Sequence, residues 1–185
     1  GDDSFVIKVE DPSIHEQNRS KSSFYRLTND TRFHYEFRYE LINDDNKSHD
    51  HRLMILLNGR GRICSDYWKF SVGRRILSAM RVSGFSILSI CSEQRMFNVY
   101  SSVLENEELK WIYKTFQLWM NTVYYKQFQC YPRLYIHGIS QGSGFASILS
   151  RVLPIQAQIL TVSPGHISSL TARSQFSFDM QKRLH

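Results

Sequence analysis

Long apolar runs, blocks of like charge and paired cysteines are all scarce in this 185-residue chain. No apolar stretch reaches ~18 residues, so no transmembrane helix is expected. No signal peptide is recognisable, although the chain opens at Gly1 rather than Met, as it would after loss of an upstream segment. The net charge is +6, yet no run of five like charges occurs; Arg60 with Arg62, and Arg74 with Arg75, form small clusters. A scattered excess of this kind makes a solvated surface and argues against specific nucleic-acid binding. Three cysteines, Cys64, Cys91 and Cys130, form no CxxC pair. That count argues against a disulfide scaffold while allowing one bridge. Cys91, ending an apolar strand, reads as a buried small hydrophobe. No His/Cys/Asp/Glu cluster has metal-ligand spacing, so no metal is expected, and no other cofactor. A cytoplasmic location is favoured. The sequons Asn18-Arg19-Ser20, Asn29-Asp30-Thr31 and Asn46-Lys47-Ser48 leave a secretory route open.

What is present is apolar and aromatic residue, 42% and 14% of the chain, ample for one domain with a buried core. Alternation marks a first strand over Ser4–Glu10 and a long one over Phe33–Ile42, expected to be antiparallel and half exposed. Asp11–Ser23 reads as a loop. Asn43–Asp50 reads as a turn that could join the second strand to the next in a hairpin. Leu53–Leu57 and Phe85–Cys91 are continuous apolar runs, the pattern of strands covered on both faces. Between them Trp68, Val72, Ile76 and Met80 recur at helical spacing, with Ser65 or Asp66 as N-cap and Gly84 past the end. Leu109, Ile112, Phe116, Trp119 and Val123 mark a second helix, roughly 105–129, whose aromatics suit core packing. Arg133–His137 is a strand opened by Pro132. Phe145, Ile148, Leu149 and Val152 mark a third helix from Gly142 to Val152, stopped by Pro154. Gln156–Val162 is the last strand. The order specifies a three-layer α/β fold: a mostly parallel sheet, antiparallel N-terminal strands, and helices on both faces. The expected organisation is a single domain over 1–185, with N-terminal strands in 1–50 and a parallel core in 51–165.

The chemistry concentrates at Gly138-Ile139-Ser140-Gln141-Gly142, between a strand and a helix. This is the sequence form of a nucleophile elbow, a turn so tight that only glycine fits two residues either side of the serine. It would hold the Ser140 hydroxyl out at the carboxyl edge of the sheet, beside a helix N-terminus. The second motif is Leu56-Leu57-Asn58-Gly59-Arg60-Gly61.

Together these motifs resemble the α/β-hydrolase family, in element order from the first strand to about Gly165. The Gly-x-Ser-Gln-Gly form is most similar to the carboxylesterase and acyl-protein thioesterase branch. The Asn58–Gly61 stretch is similar to the family's oxyanion loop, with Asn58 where a histidine is usual. The resemblance implies a serine hydrolase acting on an ester, thioester or other acyl group. Ser140 would be the nucleophile, and the backbone N–H groups of Gln141 and Arg60 the oxyanion donors. Gly59 and Gly61 would let their loop approach the substrate. Arg60 is also compatible with an anionic substrate.

The family's acid and histidine follow strands beyond Gly165, so the C-terminal portion of the fold is expected to be incomplete in 1–185. His15, His34, His49 and His51 lie before the parallel core, His137 packs before the elbow, and His185 is terminal. His166, past the last strand on the carboxyl edge, is the candidate base in this chain, although its position does not match the family's base. Asp179 is not carried over. An unpartnered serine is a weak nucleophile. The alternative is therefore a catalytically inactive hydrolase-like module that binds or assembles. A sheet ending at Gln156–Val162 leaves an edge that a partner segment or protein could pair with. Gly138-x-x-x-Gly142-x-Gly144 also satisfies the glycine pattern of short-chain dehydrogenases. Two strand–helix units precede it, however, and Ser163-Pro164-Gly165 stands where a ribose-binding acid belongs.

Overall fold

The computed structural model describes residues 7–8, 23–27, 35–42, 51–92 and 95–161; for 7–8, 23–27 and 35 it describes the backbone only. The strands are β1 (Ile7–Lys8), β2 (Ser23–Leu27), β3 (Tyr35–Glu40), β4 (Arg52–Leu57), β5 (Phe85–Ser92), β6 (Arg133–Ile139) and β7 (Ile155–Thr161). They form one sheet in the order β1-β2-β3-β5-β4-β6-β7. β1, β2 and β3 pair antiparallel, and β3 is antiparallel to β5. β5, β4, β6 and β7 are mutually parallel neighbours. The helices are α1 (Asp66–Lys69), α2 (Ser71–Val82), α3 (Glu107–Trp119), α4 (Tyr125–Phe128) and α5 (Gln141–Leu149).

Period-2 alternation in the parallel strands sorts their side chains into two cores. Leu53, Ile55, Leu57, Leu88, Ile90 and Ile136 pack with Leu109, Ile112, Phe116 and Trp119 of α3 and Phe145 and Ile148 of α5. Met54, Leu56 and Ile87 pack on the opposite face with Tyr67 of α1 and Leu77 of α2. The β4 and β5 runs are buried almost throughout, as expected of strands covered on both sides. Each buried Leu or Ile in these layers contributes roughly 1.5–3 kcal/mol.

Several sequence expectations require correction. The strand β2 falls at Ser23–Leu27, where alternation gave no signal. β3 and β4 do not form a hairpin, because β5 lies between them and takes β3 as its antiparallel partner. Nor is β3 half exposed. Phe37 and Tyr39 face the larger core, and the buried Glu40 carboxylate takes a two-point ion pair from Arg81 of α2 at 2.6 and 2.8 Å. Arg38 lies 4.7 Å from the Trp68 ring centroid.

The first helix is two. Phe70, at φ −86° and ψ 148°, breaks it between α1 and α2. The break turns Val72 outward and seats Gly73 and Leu77 instead. Ser65 makes no side-chain cap, whereas the Asp66 carboxylate accepts the Ile63 N–H at 3.1 Å. The second helix is capped by Asn106, which accepts from Leu109 N–H, and passes through a π-helical turn at Met120–Tyr124 before α4. Trp119 and Tyr124 are wholly buried there, consistent with core packing. β6 runs on through Ile139, and α5 starts at Gln141 and ends at Leu149. Cys91 is buried but is not a plain hydrophobe. It forms a disulfide with Cys64, the Cα atoms 5.5 Å apart. The readings over residues 4–6, 9–22, 33–34, 43–50 and 162–185 fall outside the described residues.

Candidate active site

Parallel strands put their carboxyl ends on one edge, and β4, β5 and β6 each deliver a loop there. The chain leaves β4 for α1–α2 on one face and β6 for α5 on the other. Adjacent strands whose helices diverge to opposite faces leave a crevice at their carboxyl ends, the usual ligand position in such sheets. Ser140 and the Asn58–Gly61 loop flank that crevice.

Ser140 is exposed and has φ 53° and ψ −120°, a region that side chains other than glycine rarely occupy. Holding a residue there costs on the order of 1–3 kcal/mol and persists only where surroundings impose it. Those surroundings are tight. A Cβ on Gly142 would meet the Leu57 carbonyl oxygen at 2.3 Å and that of Asn58 at 2.6 Å; one on Gly138 would meet the Gly142 oxygen at 2.5 Å. The turn is therefore locked between the end of β4 and its own helix. Below it the Ser140 N–H donates to Thr161 O at 2.9 Å. The buried Ser143 hydroxyl reaches Gly138 O at 2.7 Å and accepts the Thr161 N–H at 3.1 Å.

The loop after β4 comes close to the serine. A Cβ on Gly59 would lie 3.1 Å from Ser140 Cβ and 3.7 Å from Ser140 Oγ. Gly61 takes φ +79°, and its N–H donates to Arg95 O at 2.7 Å. Asn58 is buried, and its Nδ2 donates to Ile63 O at 2.8 Å, closing the loop on itself. Arg60 is exposed at the tip. Because α5 begins at Gln141, the N–H groups of its first turn have no acceptor inside the helix; that of Ser143 donates to Ser140 O at 2.9 Å.

Two of the sequence's histidines lie in the described parallel core. His51 stands at the amino end of β4, on the opposite edge from Ser140, against the Phe128 ring at 5.1 Å. His137 is buried in β6, its Nε2 3.1 Å from Thr161 Oγ1 and its Nδ1 without a hydrogen-bond partner; burial holds its pKa below the usual 6.5. Neither is brought to Ser140. His166 and Asp179 lie outside the described residues. No group of three or more His, Cys, Asp or Glu that could hold a metal occurs among the described residues, and no described helix is long and apolar enough to cross a membrane.

Sequence reasoning missed two features. The Gln141 side chain pairs with both backbone groups of Phe97, and the Cys64–Cys91 bridge joins the segment after the Asn58–Gly61 loop to β5. Neither has a local signature, because each is a contact between residues distant in sequence.

No family model matches the chain, and no curated protein sequence matches it. Solved structures do match. A cold-adapted esterase from an Arctic intertidal metagenomic library superposes with a TM-score of 0.53 at 14% identity, over 80% of this chain and 63% of that one. A candidate lipase from Sulfolobus solfataricus gives 0.52 at 12% identity, over 98% of this chain and 57% of that one. The chain has a three-layer α/β-hydrolase-like fold. It spans less than two thirds of the length of either enzyme. At such identities the likeness concerns architecture alone.

Proposed function

We propose that the chain acts as a serine hydrolase on an ester or thioester, with Ser140 as its nucleophile. The observation that carries this reading is the forced backbone of Ser140. An exposed hydroxyl sits at φ 53° in a turn closed by glycines, with the Gly59 backbone alongside it. Strain of this kind clusters at functional sites, and here tight packing imposes it on a residue that stays exposed. The two structural matches, an esterase and a candidate lipase, point the same way.

The chemistry follows from the positions. Ser140 Oγ attacks the acyl carbonyl carbon as a general base takes its proton. The carbonyl π electrons move to oxygen, and the backbone N–H groups of Gln141 and Arg60 receive that negative charge. One such donor is worth ~3 kcal/mol in the transition state. Collapse expels the alkoxide or thiolate, which takes up the proton, and water then releases the acyl group from Ser140. The base and its acid lie beyond the described residues. His166 is the candidate base within the chain, and a strand past Thr161 could supply others while pairing with the open side of β7. Residues 156–159 of β7 are exposed, and among the described strands β7 pairs with β6 alone.

A fluorophosphonate probe tests the assignment. Labelling at Ser140, abolished in Ser140→Ala, is the expected result. Labelling that survives the substitution, or occurs at another residue, refutes it. Full-length protein that folds, yet resists both the probe and 4-nitrophenyl esters, would favour the inactive-module reading.

A further inference from the structure

The Arg95–Phe97 segment after β5 contacts both the nucleophile turn and the loop after β4. Gln141 Nε2 donates to Phe97 O at 2.9 Å, and the Phe97 N–H donates to Gln141 Oε1 at 3.3 Å. Two residues earlier in the same loop, Arg95 O accepts the Gly61 N–H at 2.7 Å. Gly59 then returns to Ser140. The contacts form a ring that runs Ser140, Gln141, Phe97, Arg95, Gly61, Gly59 and back to Ser140.

We propose that the side chain of Gln141 is a positioning residue, holding the tip of the Asn58–Gly61 loop beside Ser140 through the Arg95–Phe97 segment. The proposal rests on the reading of Ser140 as an acyl-transfer nucleophile. The two oxyanion donors belong to loops whose helices pack on opposite faces of the sheet, so helix packing does not fix their spacing. Contact with Gly142 fixes the base of the β4 loop at Leu57 and Asn58, whereas the tip is tied at Gly61 to Arg95. The β5 loop is therefore the strut, and its own attachment decides where the tip stands.

That attachment has an apolar and a polar part. The Phe97 ring stacks on Phe145 of α5 with centroids 4.7 Å apart and planes 17° from parallel. Stacking holds the ring and leaves the backbone free to rotate. Phe97 is 3% exposed, so its N–H and C=O need partners, and one side-chain amide supplies both. A primary amide is the neutral group that can donate to a carbonyl and accept from its own residue's N–H together. Misplacing a catalytic donor by ~1 Å can cost about a hundredfold in rate.

Two substitutions test this in the full chain, both keeping the Gln141 backbone N–H. Gln141→Met keeps side-chain length without polar atoms. Gln141→Glu keeps the acceptor for Phe97 N–H and, when ionised, loses the donor. In Gln141→Met, hydrogen-exchange protection of the Phe97 and Gly61 amides should fall at least about tenfold while β4 and β6 amides keep theirs. The maximal rate of fluorophosphonate labelling should fall about tenfold, with half-saturating probe concentration within about twofold. Gln141→Glu should match Gln141→Met at pH 8. Relative to wild type it should recover as pH drops through about 4.3, because a protonated carboxyl again donates to Phe97 O. If Gln141→Met does not fold, that pH ratio decides. Unchanged Gly61 protection, or a ratio flat with pH, overturns the strut while leaving a labelled Ser140 intact. Conversely, a wild-type chain that resists the probe, yet loses Gly61 protection in the variants, sinks the hydrolase reading and keeps the strut.

Discussion

The two glycine-bearing turns at the carboxyl edge differ in how much room they leave. The β6–α5 turn has none: Gly138 and Gly142 each abut backbone atoms at 2.3–2.8 Å from where a Cβ would stand. The loop after β4 is open by comparison. Gly59 would place a Cβ 3.1 Å from Ser140, and Gly61 would meet nothing within 4 Å. One turn is rigid because parallel β4 and α5 close on it. The other is a loop closed on itself by the Asn58 side chain and held from outside by the Arg95 carbonyl. A site assembled from one fixed half and one adjustable half should respond unequally to the same substitution, glycine to alanine.

The largest effect belongs to Gly142→Ala. Its methyl group collides with the carbonyl oxygens of Leu57, at the end of β4, and of Asn58 just past it, which cannot withdraw without separating β4 from α5. Overpacking against backbone costs about 3 kcal/mol, a large share of a single domain's stability. The variant should lose that much in urea-unfolding free energy, and it should lose labelling of Ser140. A Gly142→Ala protein of wild-type stability would show that the turn is as soft as its neighbour and erase the contrast.

Gly59→Ala comes next. A contact at 3.1 Å requires a shift of a few tenths of an ångström, and the atoms that must give are Ser140 Cβ and the Ile139 carbonyl. Stability should fall by about 1 kcal/mol, while probe labelling slows by about tenfold. The separation of those two readouts is the check. Equal, small changes in both would mean that the loop swings away and does not press on the serine.

The architecture was legible where one physical rule dominates. The unbroken apolar runs at Leu53–Leu57 and Phe85–Cys91 could be satisfied only by burial on both faces, and the glycine spacing around Ser140 admits few turns. What was illegible depended on partners far along the chain. β2 carries adjacent aromatics, Phe24 and Tyr25, and no alternation, so only pairing with β3 identifies it. The polar residues of β3 read as solvent-facing until α1 and α2 cover them through Trp68 and Arg81. The hairpin reading failed because adjacency in sequence does not say which strand will sit between two others. The helical break at Phe70 sits inside a regular apolar period. At the site, the serine and its flanking glycines were readable, but the Gln141 side-chain role was not, since nothing in Gly-x-Ser-Gln-Gly announces Phe97.

Two further substitutions have opposite signs and similar size. Ser140 occupies φ 53° without being glycine, and Gly61 occupies φ +79° as glycine. Ser140→Gly relieves about 1–3 kcal/mol of strain and gives back about 0.5–1 kcal/mol through the freer unfolded chain. The variant should gain about 1 kcal/mol in urea while losing all labelling. Gly61→Ala should lose about 1 kcal/mol through a side chain forced into the left-handed region, and slow labelling as the loop tip shifts off Arg95 O. A Ser140→Gly protein less stable than wild type would mean that its backbone is comfortable as it stands. That result would remove the main support for a functional serine.

The smallest effect lies beneath the rigid turn and is visible only in pH. His137 packs under Ser140 with one ring nitrogen on Thr161 and the other lacking a hydrogen-bond partner, and burial holds its pKa below 6.5. As pH falls, the unfolded chain takes up a proton at this residue before the folded chain does, so unfolding gains. The stabilising contribution of the neutral imidazole is therefore complete above about pH 6.5 and drains away as pH falls through the folded value. Comparing unfolding free energies at pH 7.5 and 5.5, wild type should lose more than His137→Leu. The difference between the two slopes belongs to this one group, since other titrating residues are common to both. Equal slopes would mean that His137 takes up its proton as readily in the folded chain as in the unfolded one, so that burial does not hold the imidazole neutral.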